Sequence, residues 1–99
     1  MTGLPLDVAA LRPRPRDGLA FVLLDDEVVV HDADARSLHH LSPAATLVWL
    51  RCDGDHTVED IARRIADESV TPFEEIRRDV IMLIQQLRAA SLLVSEPTR

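Results

Sequence analysis

The chain has 99 residues, 46% of them hydrophobic and 28% charged, with a formal net charge of −6. That length holds one core and no second one, and the composition is that of a folded globular chain rather than a disordered one. The acidic balance argues against a sequence-independent grip on phosphates, which takes an excess of lysine and arginine, and three aromatic residues (no tyrosine, one tryptophan, two phenylalanines) give no platform for stacking single-stranded bases. Apolar runs are short and bounded by charge, and the N-terminal stretch lacks a basic region followed by an apolar one, so no membrane span or signal peptide is expected and a cytoplasmic location is. Cys52 is the only cysteine, which excludes an intramolecular disulfide and multi-cysteine metal sites.

Residues 1–17 alternate Arg12, Arg14 and Arg16 with Pro13 and Pro15, a pattern that favours extended or polyproline backbone and reads as a flexible arm or edge segment. Three short β-branched, alternating stretches follow, Leu19–Leu24, Val28–His31 and Ser37–Leu41, separated by acidic turns at 25–27 and 32–35. They predict a three-stranded antiparallel sheet. The aspartates are explained by turn chemistry, since their carboxylates bond nearby backbone amides.

After Leu41 the period changes to about 3.6. Ser42 and Pro43 supply an N-cap and a favoured first helical position for a helix running to about Arg51, which Gly54 is expected to terminate. Thr57 with Asp60 forms a capping-box pattern ahead of the stripe Ile61, Ala62, Ile65 and Ala66. Thr71, Pro72 and Glu74 open a long third helix whose core stripe is Phe73, Ile76, Val80, Leu83, Leu87 and Ala90. Ser91–Val94 reads as a short extended segment packing beside the sheet, and a polar tail frays from Ser95 on. The fold class is thus α+β, with a three-stranded antiparallel sheet followed by three helices in a domain over 18–95, an arm over 1–17 and a tail over 96–99.

Catalytic and metal chemistry find little material. His39 and His40 are adjacent on a strand and point to opposite faces, and His31 and His56 belong to other segments. Asp32 and Asp34 do not extend into a calcium-loop pattern. Three glycines allow neither a phosphate-cradling loop nor a nucleophile elbow. Cys52 beside His56 is the one nucleophile–base pair to consider, and a packed thiol near a loop histidine explains it better. No enzyme activity and no cofactor are expected. What remains is binding. A second stripe on the third helix, Arg77, Ile81, Ile84 and Arg88, has an apolar centre and basic ends, and the strand Ser37, Leu38, His39, His40 and Leu41, if at the sheet edge, offers backbone donors and acceptors to an added strand. Ile81 and Ile84 can equally widen the core face.

The motifs Leu41-Ser42-Pro43-Ala44-Ala45, Trp49, Cys52-Asp53-Gly54, Thr57-Val58-Glu59-Asp60-Ile61, Arg78-Asp79-Val80 and the stretch Leu87–Leu93, taken in order and spacing, resemble the peptide chaperones named for the D protein of pyrroloquinoline quinone biosynthesis, also called RiPP recognition elements (RiPP, ribosomally made and post-translationally modified peptide). The resemblance spans roughly residues 19–94. It implies a winged-helix-like fold that binds the leader of a precursor peptide, as an added strand on Ser37–Leu41 and in a groove beside the third helix. It further implies presentation of that peptide to a modifying enzyme such as a radical S-adenosylmethionine protein or a leader peptidase. The chain departs from the family at Ser42, where asparagine is common, at Ser91, where glycine is common, and in the arm before Asp17. Arg77, Arg78 and Arg88 also leave a winged-helix DNA-binding regulator as the rival expectation, against which stand the net charge and the apolar Ile81 and Ile84. A homodimer through the Ser37–Leu41 edge is the third reading.

Overall fold

The computed structural model describes residues 8–97. After one turn of 3-10 helix, Val8–Ala10, come β1 (Leu11–Pro15), β2 (Leu19–Leu24), β3 (Glu27–Asp32), β4 (Ser37–His40), α1 (Pro43–Trp49), α2 (Val58–Asp67), α3 (Phe73–Ala89) and β5 (Leu93–Pro97). β2, β3 and β4 form the expected antiparallel sheet in that order, and three helices follow it. Among the described residues no helix is long and apolar enough to cross a membrane.

Strand alternation decides which side of the sheet the core occupies. Val28, Val30 and Asp32 of β3 are buried, and Phe21 and His39 share their side because each is opposite Val30 in the register. The Leu41 amide continues the ladder by donating to the Val28 carbonyl at 2.8 Å. α1 begins at once: the Ser42 hydroxyl accepts from the Ala45 amide at 3.1 Å, with Pro43 in the first turn. One turn on, buried Thr46 ties helix to sheet. Its hydroxyl oxygen accepts from the Val28 amide at 2.9 Å, and its hydroxyl reaches the Leu41 carbonyl at 3.4 Å. α2 carries the expected capping box, Thr57 and Asp60 bonding each other's backbone amides. Depression of the Asp60 carboxyl below its ordinary range follows first from the Thr57 amide bond.

The proline-rich segment is not an arm over its described part. β1 pairs antiparallel with β5, Pro13 opposite Ser95 and Arg14 opposite Val94, in a second, two-stranded sheet. Leu11 and Pro13 are buried while Arg12 and Arg14 alternate outward, so the Arg/Pro alternation is the period of a strand. Proline is tolerated because β1 has a strand on one side only, where a missing donor costs little. Likewise the segment expected to fray from Ser95 continues as strand to Pro97; residues 1–7, the rest of the expected arm, lie outside the described residues. Gly54 does not terminate α1, which ends at Trp49 with Leu50 as its cap. With φ of +82°, Gly54 instead turns the loop onto β1, its amide donating to the Pro13 carbonyl at 2.9 Å. Thr71 makes no cap to α3, whose cap residue is Pro72 without a side-chain bond.

α3 closes with a Schellman motif. Ser91 sits at φ +61°, its amide bonds the Arg88 carbonyl, and the Leu92 amide bonds the Leu87 carbonyl, each at 3.0 Å. A left-handed position of this kind favours glycine; here the backbone is held by Arg16, whose Nε donates to the Ser91 carbonyl at 2.8 Å. The same guanidinium meets Asp32 at the end of β3 through Nη2 at 2.5 Å. The Ala35 amide and then Arg16 hold the Asp32 carboxyl below its ordinary value.

Two measurements test these ties. Thr46→Val keeps the shape but leaves the Val28 amide buried without an acceptor, so urea unfolding is expected to show a loss of about 1–3 kcal/mol. Because its folded pKa is depressed, Asp32 contributes stability that is complete above the ordinary aspartate range and lost as pH falls through the lowered value. Asp32→Asn should therefore lower the urea midpoint near neutrality and flatten its decline below about pH 4, with Asp53 and Asp60, also depressed, leaving a residual slope.

Candidate peptide-binding groove

Among the described residues β4 is the open edge of the sheet next to α3. Between them runs a groove of about 450 Å³ bordered by residues 38–42 and Ala45 on one side and by Leu83, Gln86, Leu87 and Ala90 of α3 on the other, with Leu92 beneath. Leu41, Ala45, Leu87 and Leu92 are buried and make its floor; Gln86 and Ala90 are exposed on its rim. Thr46 fixes the end of β4 against α1, and the Schellman turn fixes the end of α3, so both walls are held by hydrogen bonds rather than by loops. An apolar floor with one neutral amide at the rim and a row of unpaired backbone groups alongside is chemically a receptor for an extended segment carrying an apolar side chain.

The strand half of the expected site, Leu38 to Leu41, lies on this groove, with Ser37 at its far end bonding His39 Nε2 through Oγ at 3.2 Å. His40 turns to the outer face and its Nε2 meets Glu27 Oε1 at 2.5 Å. The helix half is rotated. Ile84 is fully buried in the core and Ile81 is packed against it. Arg77 Nε meets Glu59 Oε1 of α2 at 3.0 Å, on the α2 side. Arg88 lines a different hollow with Arg16, Gln85 and Ser91. The stripe Arg77, Ile81, Ile84 and Arg88 therefore does not assemble opposite β4, and Leu83, Gln86 and Ala90 stand there instead. The sequence reading places Leu83 and Ala90 on the core stripe and Gln86 on neither stripe; of the adjacent neutral amides Gln85 and Gln86, only Gln86 borders this groove.

Other candidates resolve into structure. The Cys52 thiol donates to the Val48 carbonyl at 3.2 Å, and burial first, then the neighbouring Asp53 charge, pushes it up to about 12. His56 instead bonds Asp53 through Nδ1 at 2.8 Å and meets Arg64 through Nε2 at 2.9 Å. Cys52 and His56 are thus not a nucleophile–base pair. Asp53 also accepts from the amides of Asp55 and His56, and the Asp55 amide is the main cause of its depressed pKa. This is an Asx-type turn that shapes the approach to α2.

The same arrangement of sheet and helices occurs in solved structures. One described as TbiB1 in complex with the TbiA(beta) leader peptide superposes with a TM-score of 0.73 at 21% identity, over 81% of this chain and 93% of that one. Another, described as lasso peptide synthetase B1 complexed with the leader peptide, gives 0.74 at 20% identity, over 84% and 98%. At such identity these likenesses establish the fold. No curated protein sequence matches this chain. The family assignment comes from the sequence pattern itself: residues 21–93, from the second strand to the last, match the model for coenzyme PQQ synthesis protein D, and the chain belongs to that PqqD family.

Proposed function

We propose that the chain is an adaptor that binds the leader region of a ribosomally synthesised precursor peptide and presents it to a modifying enzyme, a radical S-adenosylmethionine protein or a leader peptidase. The observation that carries this reading is the open β4 edge lying directly beside the apolar groove of α3. Two similar folds whose descriptions name bound leader peptides support it, as does membership of the family.

In this reading the leader adds antiparallel to β4, the pairing the rest of the sheet already uses. Backbone bonds along Ser37–Leu41 supply affinity that tolerates sequence, each contributing about 0.5–1.5 kcal/mol net. Selectivity comes from alternate leader side chains entering between Leu41, Leu83 and Leu87, with Gln86 able to donate to or accept from the peptide at the rim. The adaptor itself supplies no reaction and needs no cofactor: binding and orientation are its whole contribution, and chemistry belongs to the enzyme. Such a division places the protein in the cytoplasm, where the precursor is made.

Amide chemical-shift mapping with the leader half of the precursor encoded beside the gene tests this directly. Perturbations are expected over Leu38–Leu41 and Leu83–Ala90. Filling the groove by Gln86→Phe, at an exposed helical position, should weaken binding about tenfold or more, or about 1.4 kcal/mol. The double variant Arg77→Ala/Arg88→Ala should change affinity less than that at low salt, because neither arginine lines the groove. Absence of any perturbation at high peptide concentration would sink the adaptor reading for that peptide.

A further inference from the structure

The end of α3 separates two hollows of different character. On one flank is the groove beside β4, which Gln86, Leu87 and Ala90 border. On the other is an open hollow of about 580 Å³, bordered by Gln85, Arg88 and Ala89 of α3, by Arg16 and Ser91, and by the start of β5. Its two arginines are not equivalent. Arg16 is committed, its charge met by Asp32 and its Nε by the Ser91 carbonyl. Arg88 is half-buried, and among the described residues its guanidinium has neither a hydrogen bond nor an ion pair.

The helix offers Arg88 no acid. One turn back stand Ile84 and Gln85, and no aspartate or glutamate occurs between Asp79 and Glu96. Glu96 itself stands opposite Arg12 in the register of β5 with β1. In a chain with 17 acidic and 11 basic residues, a hollow whose described lining has two guanidiniums and no carboxylate runs against the charge of the whole. It is a positive spot on an acidic molecule.

Position decides what meets it. Groove and hollow flank the last two turns of α3, with the small side chains Ala89 and Ala90 between them. A helix with its side chains is about 10–12 Å across, so Arg88 stands at about that distance from a leader seated in the groove. An interface of ordinary size covers about 800 Å² of each partner, a patch roughly 30 Å wide, so an enzyme that closes over the leader also closes over the hollow. A polyanion is the poorer match, because one free guanidinium offers a single charge and the net −6 repels a chain of phosphates.

We propose that this hollow is a docking point for the modifying enzyme, with Arg88 receiving an aspartate or glutamate side chain from the enzyme's surface. The Gln85 amide and the Ser91 hydroxyl, both on exposed residues, add donors beside it. This rests on the leader reading and supplies the partner's side of it: leader and enzyme are held by different faces of one helix. A charge at the rim of an interface acts on the encounter rate and on salt dependence, and it fixes the orientation in which the partner lands.

The test titrates the full chain, carrying the leader half of the precursor, with the modifying enzyme encoded beside the gene, and in parallel titrates the chain with the leader alone. Arg88→Gln, which keeps a good helix former, should weaken the enzyme complex about fivefold at low salt, and Arg88→Glu about tenfold or more. Both should lose most of the salt dependence that the parent shows, and Arg88→Lys should keep most of it. Leader affinity should stay within about twofold of the parent in all three, with the amide spectrum native away from the end of α3. Enzyme affinity indifferent to the charge at position 88, with leader binding intact, would overturn the inference and leave the leader reading standing. Equal losses of leader and enzyme binding would overturn it by assigning the arginine to the leader, and salt-sensitive binding of duplex DNA that Arg88→Glu abolishes would overturn it in favour of a phosphate. Failure of the parent to bind the leader at all would overturn both readings together.

Discussion

The arrangement of this fold depends on one guanidinium. Arg16 stands between β1 and β2, and through Nη2 it holds the Asp32 carboxylate at the end of β3, while Nε takes the Ser91 carbonyl at the exit of α3. Its own amide bonds the Leu92 carbonyl at 3.1 Å. Three chain segments far apart in sequence are thereby tied: the link between the two sheets, the turn after β3, and the turn from α3 into β5. The planar fork of arginine can satisfy a carboxylate and a carbonyl at once, which a lysine ammonium on a flexible stem would do with less orientation. Asp32 is nearly inaccessible, so the pair also answers the requirement that a buried carboxylate be bonded; the Ala35 amide completes it.

From that tie follows the position of the groove. The α3 C-terminus is fixed by Ser91 and Leu92, and β4 is fixed by the Leu41 ladder bond and by Thr46. The two walls are thus set by separate hydrogen-bonded devices, one on each side, with Leu41, Leu87 and Leu92 packed between them. A receptor for an extended peptide benefits from such preorganisation, because ordering the walls on binding would subtract from the affinity.

Much of this was legible in the sequence, and the failures have physical causes. Helix starts were readable wherever a side chain does the capping: Ser42-Pro43 and Thr57 with Asp60 are local chemistry, independent of tertiary context. The start of α3 was also located, though Thr71 plays no part in it and the prolyl geometry alone bends the chain. In the sequence β1 reads only as an arm or edge segment, because two prolines in five residues are a strong signal against a paired strand and only the partner strand, some eighty residues away, reveals that their missing donors face no ladder. The side of α3 that borders the groove lies about one residue round from the stripe Arg77, Ile81, Ile84 and Arg88. Periodicity identifies an apolar face, but α3 is embraced by α2, α1, β5 and the end of the sheet, so its apolar positions spread over more than one stripe. Which isoleucine is central is then settled by tertiary packing, and Ile84 won that position from Leu83.

The two edges of the sheet show how exposure and charge divide labour. At β4 the apolar surface is recessed into a groove, and polar groups such as Ser37, His39 and Gln86 stand around it, so an incoming chain must match a shape. At β2 the apolar surface stands proud on both faces, with the Asp25–Asp26 turn at one end and Arg16 and the Arg14–Asp17 pair at the other. β3 lies between the two edges with its backbone bonds committed to its neighbours, so a strand added at β4 would leave the pairing of β2 with β3 as it is.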